Sequence, residues 1–453
     1  MTDITDSPFL ERNARAGSLS LRANFSWTLI GNVVYAACQW GMLVVLAKLG
    51  TPETVGQFAL ALAVTAPVIL LTDLQLRVLQ ATDARREFLF GDYLGLRMVM
   101  VVVGLALIAG IVAISGYRRE TGLVIFIVGV AKTFETISTT FYGLLQQRER
   151  MDRMAKAMIL RGILSLIALG AGVYLTGDLI WGVVGLATVW LLILVCYDVP
   201  SGALILRLAS AAPQGNAATE AGVAETLRPR WDVRTLARLA WLALPMGMVI
   251  MLMSLTTNIP RYFLERQWGE LELGIFAAMA YLMVAGMTVV SALGRAASPR
   301  LAVYYAARQS AEFCRLLFKL TGIGVLLGVA GVLIAVVAGR EILVLFYQPE
   351  YGERADVLVL ISVASGLEYA TSFVGYGITA ARYFRSQAVL FAVLAAATVL
   401  ISFALIPTRG LQGAGEALII AGVFRLLGSL AILAHALHEL GRARDRIGDI
   451  PLT

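Results

Sequence analysis

Four charged side chains sit where charge is costly. Lys132 and Glu135 fall inside an apolar run at 121–146, Glu368 inside one at 355–379, and Arg425 inside one at 413–438. A charge at mid-bilayer depth costs about 3 kcal/mol on insertion scales, so such residues face a protein interior or a water-filled cavity. Two chemistries suit them. Lys132 with Glu135, and Arg425 with Glu368, can simply neutralise each other as structural pairs. Alternatively, Glu135 or Glu368 takes up a proton or ion inside a charged cavity. At about 100° per residue, Lys132, Glu135, Thr136, Thr139, Gly143 and Gln146 share one helix face. Thr28, Asn32, Tyr35 and Gln39 cluster on a second helix, and Ser365, Glu368, Thr371, Ser372, Gly375 and Thr379 on a third. A lipid-facing helix has no use for such a stripe, although a single Ser or Thr in a membrane helix is also packing glue. Asn32, Gln39, Lys132, Glu135, Glu368 and Arg425 are the candidate cavity residues.

A second set is basic. Arg77, Arg148, Arg295 and Arg382 fall just past the same ends of four apolar runs. Guanidinium grips phosphate oxygens in a bidentate way, so the set reads as a vestibule for phosphate. Ordinary positive-inside anchoring competes with that reading. Catalytic signals are missing. The chain has no GxxxxGK[ST] phosphate loop, no Ser/His/Asp arrangement and no metal-ligand spacing. His435 and His438 stand at a helix end without ligand company. Cys38, Cys196 and Cys314 show no CxxC spacing and read as small buried hydrophobes. No cofactor, metal or enzymatic activity is expected.

The elements that must position these residues are membrane spans. Of 453 residues, 59% are hydrophobic and 15% charged, against about 25% charged in soluble domains. Runs of roughly 20 apolar residues, enough to cross about 30 Å of hydrocarbon, fall near 25–48, 54–76, 93–115, 121–146, 156–176, 179–200, 237–259, 272–294, 315–338, 355–379, 387–406 and 413–438. We number them spans 1 to 12. The expected fold is an all-α polytopic membrane protein. The polar first 24 residues precede a full-length span, so the first span is read as retained rather than cleaved. Short connections at 49–53, 116–120, 177–178 and 407–412 make their neighbours antiparallel pairs.

Lys and Arg set the orientation. One side collects Arg12, Arg15 and Arg22, then Arg77, Arg85, Arg86 and Arg97, the run from Arg148 to Arg161, the run from Arg207 to Arg238, and further groups near 295–319, 382–385 and 442–446. The other side holds only Lys48, Arg118, Arg119, Arg261, Arg266, Arg340, Arg354 and Arg409. Both termini are therefore expected in the cytoplasm. The net charge of +7 is topological, and nucleic-acid binding drops out. The segment 208–234 is small, polar and Pro/Gly-containing, and reads as a flexible cytoplasmic linker. It divides the chain into an N-terminal lobe at 1–207 and a C-terminal lobe at 235–453. The two halves echo each other. GQFA at 56–59 matches GIFA at 274–277, an offset of 218 that also maps Arg77 onto Arg295. Tyr142-Gly143-x4-Arg148 matches Tyr376-Gly377-x4-Arg382 at an offset of 234, so the second half carries extra residues, some of them in its 339–354 loop. Matches at corresponding positions point to a parallel internal repeat.

The opening NFSWTLIGNVVYAACQWGMLVVLAKLGTPETVGQFALALAVTAPVILLTDLQLRVLQ resembles bacterial polysaccharide-biosynthesis membrane proteins. These are the oligosaccharide-lipid (O-antigen) flippases of the multidrug/oligosaccharidyl-lipid/polysaccharide exporter superfamily. The features that carry the resemblance are the polar first span, Gly56-x-Phe58 after a short turn, and Arg77 at the exit of span 2. YGLLQQRERM after span 4 and its echo YGITAARYFR add to it. The resemblance implies two six-span lobes around a central cavity and a polyprenyl-diphosphate-linked oligosaccharide as substrate. It also implies passage to the outer leaflet by alternating access, without ATP and coupled to an ion gradient. It places the chain in a bacterial inner membrane, serving O-antigen, capsule or exopolysaccharide synthesis beside a polysaccharide polymerase and chain-length machinery. A cation antiporter of the multidrug/toxin-extrusion type is the alternative. A membrane polymerase or glycosyltransferase fits poorly with such short outer loops.

Overall fold

The computed structural model describes residues 20–83, 87–211 and 227–448. Arg12, Arg15, Arg85, Arg86 and residues 212–226 of the expected linker lie outside them, as do the side chains of Arg442, Arg444 and Arg446. The described chain is helical and contains no strand. This is how an apolar chain satisfies its backbone without water. Among the described residues, ten helices are long and apolar enough to cross a membrane. Two of them, Val233–Leu282 and Arg385–Leu440, hold 50 and 56 residues. Left straight they would run roughly 75 and 84 Å, far beyond one bilayer. Each is broken instead, at Gly269 (φ 87°) and Gly410 (φ 55°), left-handed conformations that glycine adopts without strain. The broken pair supplies spans 7 and 8 and spans 11 and 12. Span 8 continues through Val284–Ala306, and with two of the ten helices supplying two spans each the described residues hold twelve.

Several helices outrun their apolar cores. Span 7 was expected to end at 259, before Pro260, yet the helix continues to the break at Gly269. Arg261 therefore belongs to a span rather than to an outer loop. The 407–412 connection is helical except at Gly410, and the 339–354 insertion is mostly helix, Ser310–Phe346 followed by Pro349–Gly352. Cys38 is buried as expected, but Cys196 and Cys314 are exposed.

Packing divides the chain into two compact units. The first is Met1–Met42 with Val64–Met248, the second Leu43–Ala63 with Val249–Thr453. In the first unit the chain from Leu227 is docked rather than free. Arg230 N donates to Gly91 O at 2.9 Å, and the Arg230 guanidinium lies 3.6 Å from Asp92. A Cβ on Gly91 or Gly95 would come within 2.7 Å of Arg228 O or 2.1 Å of Arg230 O, so this strap needs both glycines of span 3. Asp232 then caps span 7, accepting from Arg234 N and Thr235 N and from the Thr235 hydroxyl. The Thr235 hydrogen bond holds its carboxyl below the usual carboxylate range.

The second unit contains the meeting of the two echoed motifs. A Cβ on Gly56 would lie 1.8 Å from Glu270 O, and one on Gly274 would lie 1.9 Å from Pro52 O. Positions 52 and 56 map onto 270 and 274 by the same offset of 218. Each glycine thus meets the repeat-equivalent of the other's partner, the pattern of a contact across a local twofold axis. Gln57 Nε2 donates to Glu270 Oε2 at 2.9 Å across the same crossing.

Candidate functional site

In the first unit, spans 1, 4, 5 and 6 bring together a charged network. Tyr35 donates its hydroxyl to Glu135 Oε1 at 2.6 Å, and Lys132 Nζ donates to Glu135 Oε2 at 2.9 Å. The Lys132 ammonium also lies 4.9 Å from the centre of the Trp190 ring, a cation–π distance. Lys132 and Glu135 keep 23% and 22% of their side-chain surface exposed, so the pair borders open space. Gln39, one turn along from Tyr35, hydrogen-bonds its hydroxyl. Asn32 turns its amide onto Thr28 O of its own helix.

Behind this pair lies a second, whose arginine reads in the sequence as plain basic anchoring. Arg161 donates to Ser138 Oγ at 2.7 Å and to Asp198 Oδ2 at 3.0 Å, between the rings of Tyr142 and Trp190. Arg161 and Asp198 are 2% and 1% exposed. Asp198 closes a π-helical turn, Leu194–Asp198, a distortion found often at functional positions. Only the turn makes Asp198 conspicuous, because in sequence it reads as the end of an apolar run.

The stripe on span 4 is not a uniform lining. Thr136 is buried and bonds Lys132 O, Thr139 bonds Thr136 O, and Gly143 packs on Gln80. Back-bonding of hydroxyls to their own helix explains this. Only Lys132 and Glu135 of that stripe carry charge toward open space. Thr139 and Thr140 also take Arg97, whose guanidinium holds Asp73 O and Oδ1 at 3.1 and 2.9 Å. That contact fixes the break at Leu74 and Gln75, both at positive φ, and Arg77 follows it. Arg77 donates to Gln146 Oε1 and lies over Tyr142, and Arg148 is half-buried at the end of the same helix.

In the second unit, spans 7, 8, 10, 11 and 12 line an open cavity of about 280 Å³. Glu368 and Arg425 meet there in direct contact, and Arg425 lies 5.3 Å from the centre of the Phe391 ring. Ser365, Thr256 and Thr257 add polar lining, while Met253, Met283 and Met287 add apolar surface. Arg261 also lines the cavity. It donates to Asn258 Oδ1 at 3.0 Å, while its Nε is buried without a hydrogen-bond partner. The loop assignment hid Arg261; the polar run Thr256-Thr257-Asn258 ahead of it was the signal available. Arg295 and Arg382 are exposed, the first beside Gly294 against the Tyr376 ring, the second at positive φ where span 10 ends. The four arginines are divided, Arg77 and Arg148 in the first unit and Arg295 and Arg382 in the second. Among the described residues, no group of three or more His, Cys, Asp and Glu is arranged to hold a metal.

Residues 21–305 match the family described as polysaccharide biosynthesis protein. The chain is 28% identical over 409 residues to a capsular polysaccharide biosynthesis protein of Staphylococcus aureus, covering 89% of this chain and 97% of that one. Among solved structures it is similar to an inward-facing multidrug-resistance MATE transporter of the MOP superfamily, with a TM-score of 0.62, 15% identity, and coverage of 96% and 99%. It is similar also to a MOP-superfamily transporter from Pyrococcus furiosus whose binding pocket is described as reversed in polarity. That match has a TM-score of 0.58, 17% identity, and coverage of 92% and 94%. At these identities the structural matches establish a shared fold.

Proposed function

Because the chain belongs to the polysaccharide biosynthesis protein family, we propose that it moves a polyprenyl-diphosphate-linked oligosaccharide from the cytoplasmic to the outer leaflet of a bacterial inner membrane. The transport serves cell-surface polysaccharide synthesis, runs without ATP by alternating access of lobes 1–207 and 235–453, and is coupled to an ion gradient. Both termini are cytoplasmic. Arg77, Arg148, Arg295 and Arg382 gather the diphosphate, Asn32, Gln39, Lys132, Glu135, Glu368 and Arg425 meet the head group, and the lipid tail stays in the bilayer. A polymerase and chain-length machinery use the product.

The observation that carries this reading is the cavity of the second unit. It places two guanidinium groups and one carboxylate, Arg261, Arg425 and Glu368, within membrane spans. Such a lining favours an anionic head group and repels an organic cation, which weighs against a cation antiporter of the same fold. The Pyrococcus relative supports the view that pocket polarity varies on this fold. Deleting the gene should abolish surface polysaccharide and leave its lipid-linked precursor on the cytoplasmic leaflet. Wild type should restore export, and Lys132→Ala or Arg425→Ala should not, at equal protein levels. Normal polysaccharide in the deletion strain, together with lost efflux of organic cations, would favour the antiporter.

A further inference from the structure

The second-unit cavity is unbalanced, and the imbalance has a specific arrangement. Arg261 has an amide oxygen at 3.0 Å and a buried, unbonded Nε, with no carboxylate partner among the described residues. A guanidinium within a membrane bundle is costly unless something compensates it. Arg425 is compensated by Glu368, but the pair is lopsided: Arg425 is 14% exposed and Glu368 is 36% exposed. The cation is fixed under Phe391, and the carboxylate is the member that reaches into open space. Two guanidiniums and one carboxylate leave the cavity at +1. A volume of about 280 Å³ lies just below the roughly 300–1,000 Å³ of pockets for drug-sized ligands, so it suits one charged head-group fragment rather than a whole oligosaccharide.

We infer that Arg261 and Arg425 form one anion-binding site, and that Glu368 is its resident counter-ion, displaced when the phosphate or carboxylate group of a substrate arrives. Arg261 makes the first contact, because no carboxylate competes for it and only the Asn258 amide oxygen holds it. Arg425 then exchanges the Glu368 carboxylate for the incoming anion. Phosphate has the advantage in that exchange, since it offers more oxygens to a planar fork than a single carboxylate does. When the anion leaves, Glu368 returns and Arg425 is never left uncompensated in low dielectric. This ion exchange deepens the transporter reading and rests on it for the identity of the substrate.

The test is anion binding by the purified full chain in detergent, with inorganic pyrophosphate, glucuronate and neutral glucose as probes. Wild type should bind pyrophosphate or glucuronate and not glucose; preference between the two assigns the group to the lipid diphosphate or to an acidic sugar. Arg261→Gln should weaken binding about ten-fold, and Arg261→Lys should recover part of it. Glu368→Gln should tighten binding about ten-fold, because the competitor is gone. Weaker or unchanged binding in Glu368→Gln, or unaltered binding in Arg261→Gln, would overturn the inference, as would wild type binding neither anion. If Glu368→Gln does not fold, the Arg261 pair decides alone. A chain that translocates lipid-linked saccharide but fails these tests refutes only the ion exchange. One that binds anions as described but moves no saccharide refutes only the transporter reading.

Discussion

Gly56→Ala and Gly274→Ala should each destabilise the protein, and the double variant should cost far less than their sum. At Gly274 the new methyl would lie 1.9 Å from Pro52 O, and ordinary contact begins at 3.4 Å. The two helices must therefore part by about 1.5 Å, and Gly56, with 1.8 Å to Glu270 O, demands nearly the same displacement. Overpacking of this kind costs about 1–3 kcal/mol. Because both methyls push one helix pair apart, the second finds space the first has opened, and a coupling of about 1 kcal/mol or more follows. Parting also stretches the 2.9 Å Gln57–Glu270 hydrogen bond. Equilibrium unfolding of the purified protein in mixed detergent measures all four corners of the cycle. Gly110→Ala and Gly322→Ala serve as controls, since a Cβ there meets nothing within 4 Å; helix propensity makes them neutral or stabilising by up to about 1 kcal/mol. Costs that add to within about 0.5 kcal/mol, or no cost at either glycine, would refute the reciprocal crossing.

Three further outcomes follow from named contacts. Arg161→Ala strands the buried Asp198 carboxylate and should cost about 3–5 kcal/mol of unfolding free energy, whereas Arg161→Met with Asp198→Leu should cost much less; equal costs would contradict the pairing. Gly95→Val should unseat the strap at residues 227–232 and speed tryptic cleavage after Arg230 several-fold, with unchanged cleavage arguing that the strap is not held there. Lys132→Met should shift Trp190 fluorescence and reduce transport ten-fold or more at normal expression, and Lys132→Arg should keep part of both. Loss of folded protein in Lys132→Met and Lys132→Arg alike would support a purely structural pair.

The spans were legible because lipid leaves the backbone few choices, and apolar length alone located nearly all of them. The repeat was legible too, through GQFA and GIFA, although only the folded structure reveals that these two segments touch. The charged pairs Lys132/Glu135 and Arg425/Glu368 were visible as anomalies, since charge in an apolar run stands out. Arg161 and Asp198 were not. Each sits near a run's end, where charge is ordinary, and a π turn together with burial between two aromatic rings makes them a pair. Arg261 was missed for a different reason: the apolar run stops at 259, yet the helix of span 7 runs on to Gly269. The threonines of spans 4 and 10 looked like a passage lining and are mostly spent on their own backbone, a choice that helical spacing does not record.

Translocation of a lipid-linked saccharide can be followed directly. The direct measurement is leaflet exchange of a fluorescent polyprenyl-diphosphate oligosaccharide in vesicles holding only this protein, with and without a proton gradient. Exchange should need the protein, quicken under a gradient and fall when Lys132 or Arg425 is replaced by Ala. No exchange under any gradient, with organic cations leaving the same vesicles, would contradict saccharide translocation.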